Sequence, residues 1–367
     1  HIGGNARIDG RAMVSSSLSV AGATHLHDTL RVERGVNVAE DLSVSGDAYV
    51  IGQLSVAGPV WFTGGIRMDN ALNVMQNVTV ESSLSVGQTA FYNSDIQLHG
   101  ALSVNDAIYA GSALSVTGSV HVDGGAHVLG TLSVTNAAYL GGVLSVFGDT
   151  FVDGTSRVLG ALSVSADVDT TGDVRVLGVL SVSDQALLAS TLSVKDDVHV
   201  DSDVRVLGTL SVMSAIELVN SLHTGQDIRA DGDMCVLGEL SVGSTATLDQ
   251  ALRVGGDANI YGRLSVYDTA FFLNAIHGNT TLTVGGDAYV EGATRATGEV
   301  MMGGTLSVLM DAFLDASAHV GGAISVSHDA FVDGQARVGG PLSVSQPVYL
   351  ADTLSVFKDA FVDSNLR

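Results

Sequence analysis

Hydrophobic and polar residues alternate along almost the whole chain, and the alternation keeps a fixed frame of six residues. The tripeptide Leu-Ser-Val recurs from Leu18 to Leu354, and every interval between its occurrences is a multiple of six. Counted from Ala6, the sequence contains 60 hexads through Asn365 without an insertion or a deletion. Such regularity indicates a repeat architecture, in which each unit buries its apolar face against its neighbours.

The six positions of the hexad, numbered 0 to 5, have different chemistry. Positions 0 and 2 are apolar almost throughout, as in Leu162 and Val164, which predicts a short strand with one buried face. Position 4 is Gly in 28 hexads, Asn or Asp in 10 and Ser in 9. We expect a corner there, because Gly, Asn and Asp tolerate a left-handed backbone. All three prolines lie at position 5, where no ladder hydrogen bond need be lost: Pro59, Pro341 and Pro347.

The repeat therefore predicts an all-β, triangular β-helix, and two ways of stacking the hexads fit it. A single chain can wind three hexads per turn, so that each hexad lies under the third one following it. Its 20 turns would extend roughly 95 Å at the spacing of β-strands. Alternatively, three chains can intertwine, each supplying one side of every layer, so that 60 layers extend roughly 290 Å.

Charge placement gives a slight preference for three intertwined chains. Stacking at an offset of three hexads brings together three pairs of like charges: Arg157 with Arg175, Asp231 with Asp249, and Asp315 with Asp333. Like charges opposite one another on a sheet are unfavourable. An offset of one hexad avoids these pairs and alternates bulky and small core layers, although it places His121 beside His127. A repeat of three hexads, seen where Leu306 and Ile324 each precede two alanine-led hexads, favours a single chain instead.

Composition narrows the expected partners and location. Asp and Glu number 39 against 16 Lys and Arg, a net charge of −23. Such a surface repels phosphate backbones and anionic lipids, so we expect neither nucleic acid nor membrane insertion. No apolar run is long enough to span a bilayer. An acidic surface with almost no lysine suits a saline or calcium-rich exterior, so we expect an extracellular or virion-surface protein.

The outward positions offer one candidate interaction surface. Twelve aromatic residues occupy position 1: Tyr49, Trp61, Phe91, Tyr109, Tyr139, Phe151, Phe271, Tyr289, Phe313, Phe331, Tyr349 and Phe361. Aromatic residues favour any pleated surface, which is one explanation of this set. The other is that a neighbouring subunit covers them, because ranks of exposed rings mark contact surfaces. We take the twelve as a candidate lateral contact surface.

Arginine also favours position 1 and often follows an aspartate by four residues. The sequence suggests three such surface ion pairs: Asp153 with Arg157, Asp201 with Arg205, and Asp333 with Arg337. Pairs of this kind, solvated on an exposed face, contribute little to stability.

No motif indicates catalysis, a cofactor or a metal, so we expect a protein that is not an enzyme. His25 and His27 share an outer face, but the sequence places no carboxylate or third histidine beside them. Cys235, the only cysteine, excludes a disulfide framework and is expected to be an inert outward residue. The hexads also differ from those of hexapeptide-repeat acyltransferases, because Gly follows Val by two residues and no loop is inserted. Asn77 and Asn279 begin glycosylation sequons, which matter only in a secreted eukaryotic protein.

Two families resemble the repeat. The run from Leu144 to Thr155, Leu-Ser-Val-Phe-Gly-Asp-Thr-Phe-Val-Asp-Gly-Thr, resembles the hexad repeats of bacteriophage and viral fibre proteins. That resemblance implies a trimeric β-helical shaft, and the chain has nothing like a receptor-binding tip. Val120-His-Val-Asp-Gly-Gly resembles the bactofilins, which implies a single-chain β-helix that polymerises.

From these patterns we expect one continuous β-helical domain over residues 1–367, without linkers or caps. Its expected function is that of a rigid structural fibre or shaft without catalysis. A self-assembling filament or sheath subunit is the alternative, and an adhesin is less favoured because the aromatic residues are dispersed. The expected partner is the protein itself, with strand pairing continuing beyond both ends.

Overall fold

The computed structural model describes residues 2–363, and all of its regular secondary structure is β-strand. Sixty strands of three residues follow one another, from β1 (Ala6–Ile8) to β60 (Ala360–Val362). Strand βn covers residues 6n to 6n+2, so every strand occupies positions 0 to 2 of its hexad. The predicted frame is thus confirmed through the last strand, and its final residues, 364 and 365, lie outside the described residues. The described chain has no helix that could cross a membrane.

The chain divides into two compact units, His1–Asp184 and Gln185–Arg367. Unit 1 contains β1 to β30 (Leu180–Val182), and unit 2 contains β31 (Ala186–Leu188) to β60. With three strands to a turn, the thirty strands of each unit form a parallel β-solenoid of ten turns. We name the three sheets face 1 (β1, β4 and so on), face 2 (β2, β5 and so on) and face 3 (β3, β6 and so on).

Each strand pairs in parallel with the strand three hexads away. On face 3 of unit 1, Leu144 pairs with Leu162, which pairs with Leu180. This is the single-chain winding, and it confirms the triangular β-helix. Arg157 and Arg175 are accordingly register partners, as an offset of three hexads requires. The slight preference for three intertwined chains stays a prediction.

The core is built from positions 0 and 2 because only these side chains point into the triangle. From Val20 to Val348, every residue at these positions is buried except Gly278. In some runs identical side chains stack from turn to turn, as Leu144 does on Leu162, whereas elsewhere unlike ones do, as Leu132 does on Thr150. Phe62, Tyr92 and Phe272 are the aromatic residues at position 2, and all three are buried.

Position 4 is a corner, as predicted, but its backbone is not left-handed. No glycine or other described residue has a positive φ. Glycine is favoured there because the corners of successive turns approach closely. The Gly118 N–H donates to the Gly100 carbonyl at 3.2 Å, and a Cβ on Gly118 would lie 2.5 Å from that carbonyl. Within residues 2–363, every backbone hydrogen bond from a position-4 N–H to the position-4 carbonyl of the preceding turn has glycine as its donor.

Position 5 has an N–H group without a partner in the backbone ladder. Its carbonyl accepts from position 0 of the turn below, as when the Leu42 N–H donates to Pro59 at 3.1 Å. In several turns this N–H donates instead to an aspartate at position 5 of the preceding turn, as Gly65 does to Asp47 at 2.8 Å. Proline fits this position because it has no N–H to satisfy. The predicted reason for its placement is therefore confirmed.

Candidate functional site

The outward side chains at positions 1 and 3 form ladders that run from turn to turn on each face. The twelve candidate aromatic residues are divided among all three faces. Five lie on face 1, namely Trp61, Phe151, Phe313, Phe331 and Tyr349. Tyr49 and Tyr139 lie on face 2, and the other five, Phe91, Tyr109, Phe271, Tyr289 and Phe361, lie on face 3. The structure therefore brings them together in short groups and not on one continuous surface.

The longest group is a stack of three rings on face 1 of unit 2. Phe313 and Phe331 have ring centroids 4.8 Å apart, and Phe331 and Tyr349 are 4.7 Å apart, with planes within 7°. Two further pairs stack on face 3, Phe91 with Tyr109 at 4.9 Å and Phe271 with Tyr289 at 5.1 Å. Stacking hides the ring faces within the chain and leaves the ring edges outward.

The face 2 aromatic residues, Tyr49 and Tyr139, contact arginine and histidine side chains on the neighbouring turns. The guanidinium carbons of Arg31 and Arg67 lie 5.4 and 5.7 Å from the Tyr49 ring centroid, one on each side. The Tyr49 hydroxyl donates to Asp69 at 2.9 Å, and this hydrogen bond raises the pKa of Tyr49 above its usual value. Tyr139 is held in the same way, stacked on His121 at 4.7 Å and with Arg157 5.6 Å from its ring.

The remaining aromatic residues have no ring partner among the described residues. Trp61 is 57% exposed and Phe361 is 60% exposed, whereas Phe151 is 41% exposed. A surface tryptophan left open in this way is suited to contact with another molecule. That the twelve form a lateral contact surface stays a prediction, and the self-stacking of seven of them was not foreseeable from the hexad pattern.

The ion pairs differ from the sequence prediction. Within the described residues, no ion pair forms between Asp153 and Arg157, Asp201 and Arg205, or Asp333 and Arg337. Arginine at position 1 pairs instead with aspartate at position 3 of the same hexad, as in Arg67 with Asp69 at 3.6 Å and Arg229 with Asp231 at 3.3 Å. The physical reason is the corner, which turns the residue four places earlier onto another face.

Aspartates at position 5 form a second, structural group of carboxylates. Asp95 accepts from the backbone N–H of Ala113 at 3.1 Å, and Asp227 accepts from that of Thr245 at 2.9 Å. Bonds from the Ser112 hydroxyl and the Ala113 N–H lower the pKa of Asp95, and bonds from Thr245 and Ser244 lower the pKa of Asp227. Part of the acidic composition thus serves to bond corner N–H groups.

The residues considered for metal binding or catalysis are His25 and His27 in unit 1 and Cys235 in unit 2. The His27 imidazole is 3.7 Å from Asp9, so a carboxylate does lie beside this histidine, contrary to the sequence expectation. Across residues 2–363, no three His, Cys, Asp or Glu side chains are grouped to hold a metal ion. Cys235 is half-buried on face 3 between Glu217 and Arg253. These positions bring no nucleophile together with a general base.

Shallow grooves lie between the ladders on the surface. One, of about 440 Å³, runs along face 2 of unit 2 beside Met301, His319 and Arg337, where glycines occupy position 3. Another, of about 560 Å³, lies beside Arg253 and Phe271 on face 3. Comparison of the chain with protein-family models, curated proteins and solved structures gives no match. The surface ladders themselves are therefore the basis for a functional proposal.

Proposed function

We propose that this chain is a non-catalytic structural protein, a rigid β-solenoid rod that functions by associating with copies of itself. The observation that carries the proposal is the unbroken succession of strands and three-residue corners in both units. Binding and catalytic residues are concentrated on loops, and residues 2–363 contain no loop longer than a corner.

The stacking itself supports rigidity. Each turn is bonded to the next by strand ladders on all three faces, by corner glycines, and by the position-5 aspartates. Identical core side chains, such as Leu144, Leu162 and Leu180, repeat at the same position of successive turns. A fibre, shaft, filament or sheath needs this mechanical continuity, and an extracellular or virion-surface location suits the acidic surface.

Small-angle X-ray scattering and sedimentation equilibrium at high salt test the proposal together. A single-chain rod has a mass of 37.5 kDa and a cross-section that stays constant along a length of roughly 95 Å. A trimeric shaft, the assembly of the fibre proteins that the repeat resembles, has three times that mass and a length of roughly 290 Å. A compact particle with neither profile would contradict the rod.

A filament subunit is the second candidate function, and the unpaired charges on the outer faces favour it. Charged residues stacked without partners within the chain are available to a neighbouring copy. Electron microscopy at low ionic strength distinguishes the two functions, because a filament subunit forms long or bundled assemblies and an isolated rod does not.

A further inference from the structure

Two ladders on different faces carry like charges at successive turns, and neither is neutralised within the described chain. On face 2 of unit 1, Arg157 and Arg175 are register partners, and neither guanidinium is within ion-pair distance of a carboxylate. On face 1 of unit 2, Asp315 and Asp333 follow the register partners Phe313 and Phe331 by two residues. Both aspartates are exposed, and neither carboxylate forms an ion pair or hydrogen bond among the described residues.

The third like-charge pair is different, which shows that the chain can relieve such contacts. Asp231 and Asp249 are also one turn apart, but Asp231 is bonded by Arg229 at 3.3 Å. Stacking like charges in a sheet costs stability. Where the cost is not relieved within the chain, an opposite charge on a second molecule can relieve it.

The spacing of the two unpaired ladders is the same. Each advances by one turn, so the two arginines and the two aspartates are both separated by about the 4.8 Å strand spacing. Apolar neighbours complete each patch. Leu159 and Leu177 occupy position 3 beside the arginines, and Phe313 and Phe331 occupy position 1 beside the aspartates. We call these the arginine patch (Arg157, Leu159, Arg175, Leu177) and the aspartate patch (Phe313, Asp315, Phe331, Asp333).

We propose that the arginine patch of one copy of this chain docks on the aspartate patch of a second copy. This contact rests on the proposed function and specifies how the rods associate. When two solenoids with the same handedness lie side by side and point the same way, their facing strands run in opposite directions. Position 1 of one face then meets position 3 of the other. Arg157 therefore meets Asp315, and Arg175 meets Asp333. The leucines of the arginine patch meet the phenylalanines of the aspartate patch. The contact thus fixes parallel, same-direction alignment of the two solenoid segments.

The two patches are different surfaces, so the contact is heterologous. Each copy offers both, and a docked copy leaves one arginine patch and one aspartate patch unfilled. Heterologous contacts that do not close into a ring generate open assemblies. The attraction between exposed charges also weakens with salt, so association is expected at an ionic strength of about 0.02 M and not at about 1 M.

A charge-swap experiment with the full chain tests the contact by sedimentation velocity. The variant Arg157→Glu/Arg175→Glu and the variant Asp315→Arg/Asp333→Arg should each remain unassociated at low salt, since each places like charges across the contact. An equimolar mixture should associate again, because each variant supplies the patch that the other lacks. Recovery in the mixture also shows that both variants are folded.

The control is Arg67→Glu/Arg229→Glu, which changes the net charge equally at two arginines that already pair with Asp69 and Asp231. It should associate like the wild type. Association of either swapped variant alone, or no recovery in the mixture, would overturn the docking proposal. Wild-type chain that stays unassociated at low salt would overturn it as well. The small-angle X-ray scattering profile tests the proposed rod independently of this contact.

Discussion

Units 1 and 2 have the same backbone and different surfaces. Each consists of thirty three-residue strands with the same hexad frame, and in each the strands pair at an offset of three hexads. On face 2 of unit 1, the Tyr49 ring lies between the guanidinium groups of Arg31 and Arg67. The stack of Phe313, Phe331 and Tyr349 in unit 2 contains only phenylalanine and tyrosine rings. Core and corners therefore fix the fold, while the residues at positions 1 and 3 differ between the units and carry the surface interactions.

The cores of the two units differ as well. Unit 1 contains the unbroken leucine stack Leu144, Leu162 and Leu180. In the last turns of unit 2, alanines such as Ala318 and Ala330 line a small apolar cavity of about 30 Å³. Both also bury polar groups, and the Tyr92 hydroxyl in unit 1 and the Thr294 hydroxyl in unit 2 have no hydrogen-bond partner.

The largest effect is expected from truncating the leucine stack. Leu162→Ala should destabilise unit 1 by about 2–5 kcal/mol, because the buried side chain contacts a leucine in the turn on either side. Repeat units transmit stability mainly to their neighbours. Hydrogen exchange should therefore show lost protection in unit 1 first. Leu306→Ala, which removes the same atoms beside the small cavity of unit 2, is the matched truncation, and an equal loss from it would contradict this account of the two cores.

The next largest loss of stability is expected from substituting a corner glycine. Gly118→Ala places a Cβ 2.5 Å from the Gly100 carbonyl and should cost about 1–3 kcal/mol through backbone shifts. Gly278→Ala is the control, because a Cβ there has nothing within 4 Å. Chemical denaturation should place the Gly278 variant at or above wild-type stability. Equal losses at both sites would show that glycine flexibility, and not the close approach of corners, determines stability.

Removing an unpaired buried hydroxyl should stabilise either unit slightly. Tyr92→Phe and Thr294→Val should each raise the free energy of unfolding by about 1 kcal/mol, since a buried polar group without a partner loses its hydration. Thr224→Val is the control in unit 2, because the Thr224 hydroxyl donates to the Gln226 carbonyl at 3.4 Å. A gain from Thr224→Val as large as that from Thr294→Val would refute the explanation.

The smallest expected effect is on the stability of the folded chain at acidic pH. Hydrogen bonds lower the pKa values of Asp95, Asp197 and Asp227 in the folded chain below the ordinary value of 3.8. Their contribution is therefore present above that ordinary value and is lost as the pH falls through the lower folded values. Thermal melts of the triple Asp→Asn variant should show a weaker loss of stability below about pH 4.

The asparagine side chain can keep the backbone hydrogen bond, as Asn5 does for the Ala23 N–H at 3.2 Å. At neutral pH the triple variant should therefore be only slightly less stable than the wild type, because it keeps the hydrogen bonds and loses the charge that strengthens them. Asp153→Asn/Asp315→Asn/Asp333→Asn removes the same charge from carboxylates without hydrogen bonds. An identical change in the acid profile of this control would point to net charge alone.

The strands, the buried positions, the corners and the places of proline all follow from the amino-acid sequence. These are local properties, because a six-residue frame of alternating residues has only one way to face a core. The same frame also indicated, wrongly, that corner glycines adopt a left-handed backbone. Only the structure places each corner against the corner three hexads away, and that contact is why glycine is favoured there.

Long-range stacking, in contrast, decides which hexads are neighbours. An offset of one hexad or of three satisfies the pattern equally, because both preserve the inward-facing positions. The winding at three hexads per turn determines that Phe313 stacks on Phe331 and that Arg157 lies beside Arg175. It also determines that Asp95 bonds the Ala113 N–H. Such contacts join residues from successive turns of the solenoid, and alternation along the chain does not encode them.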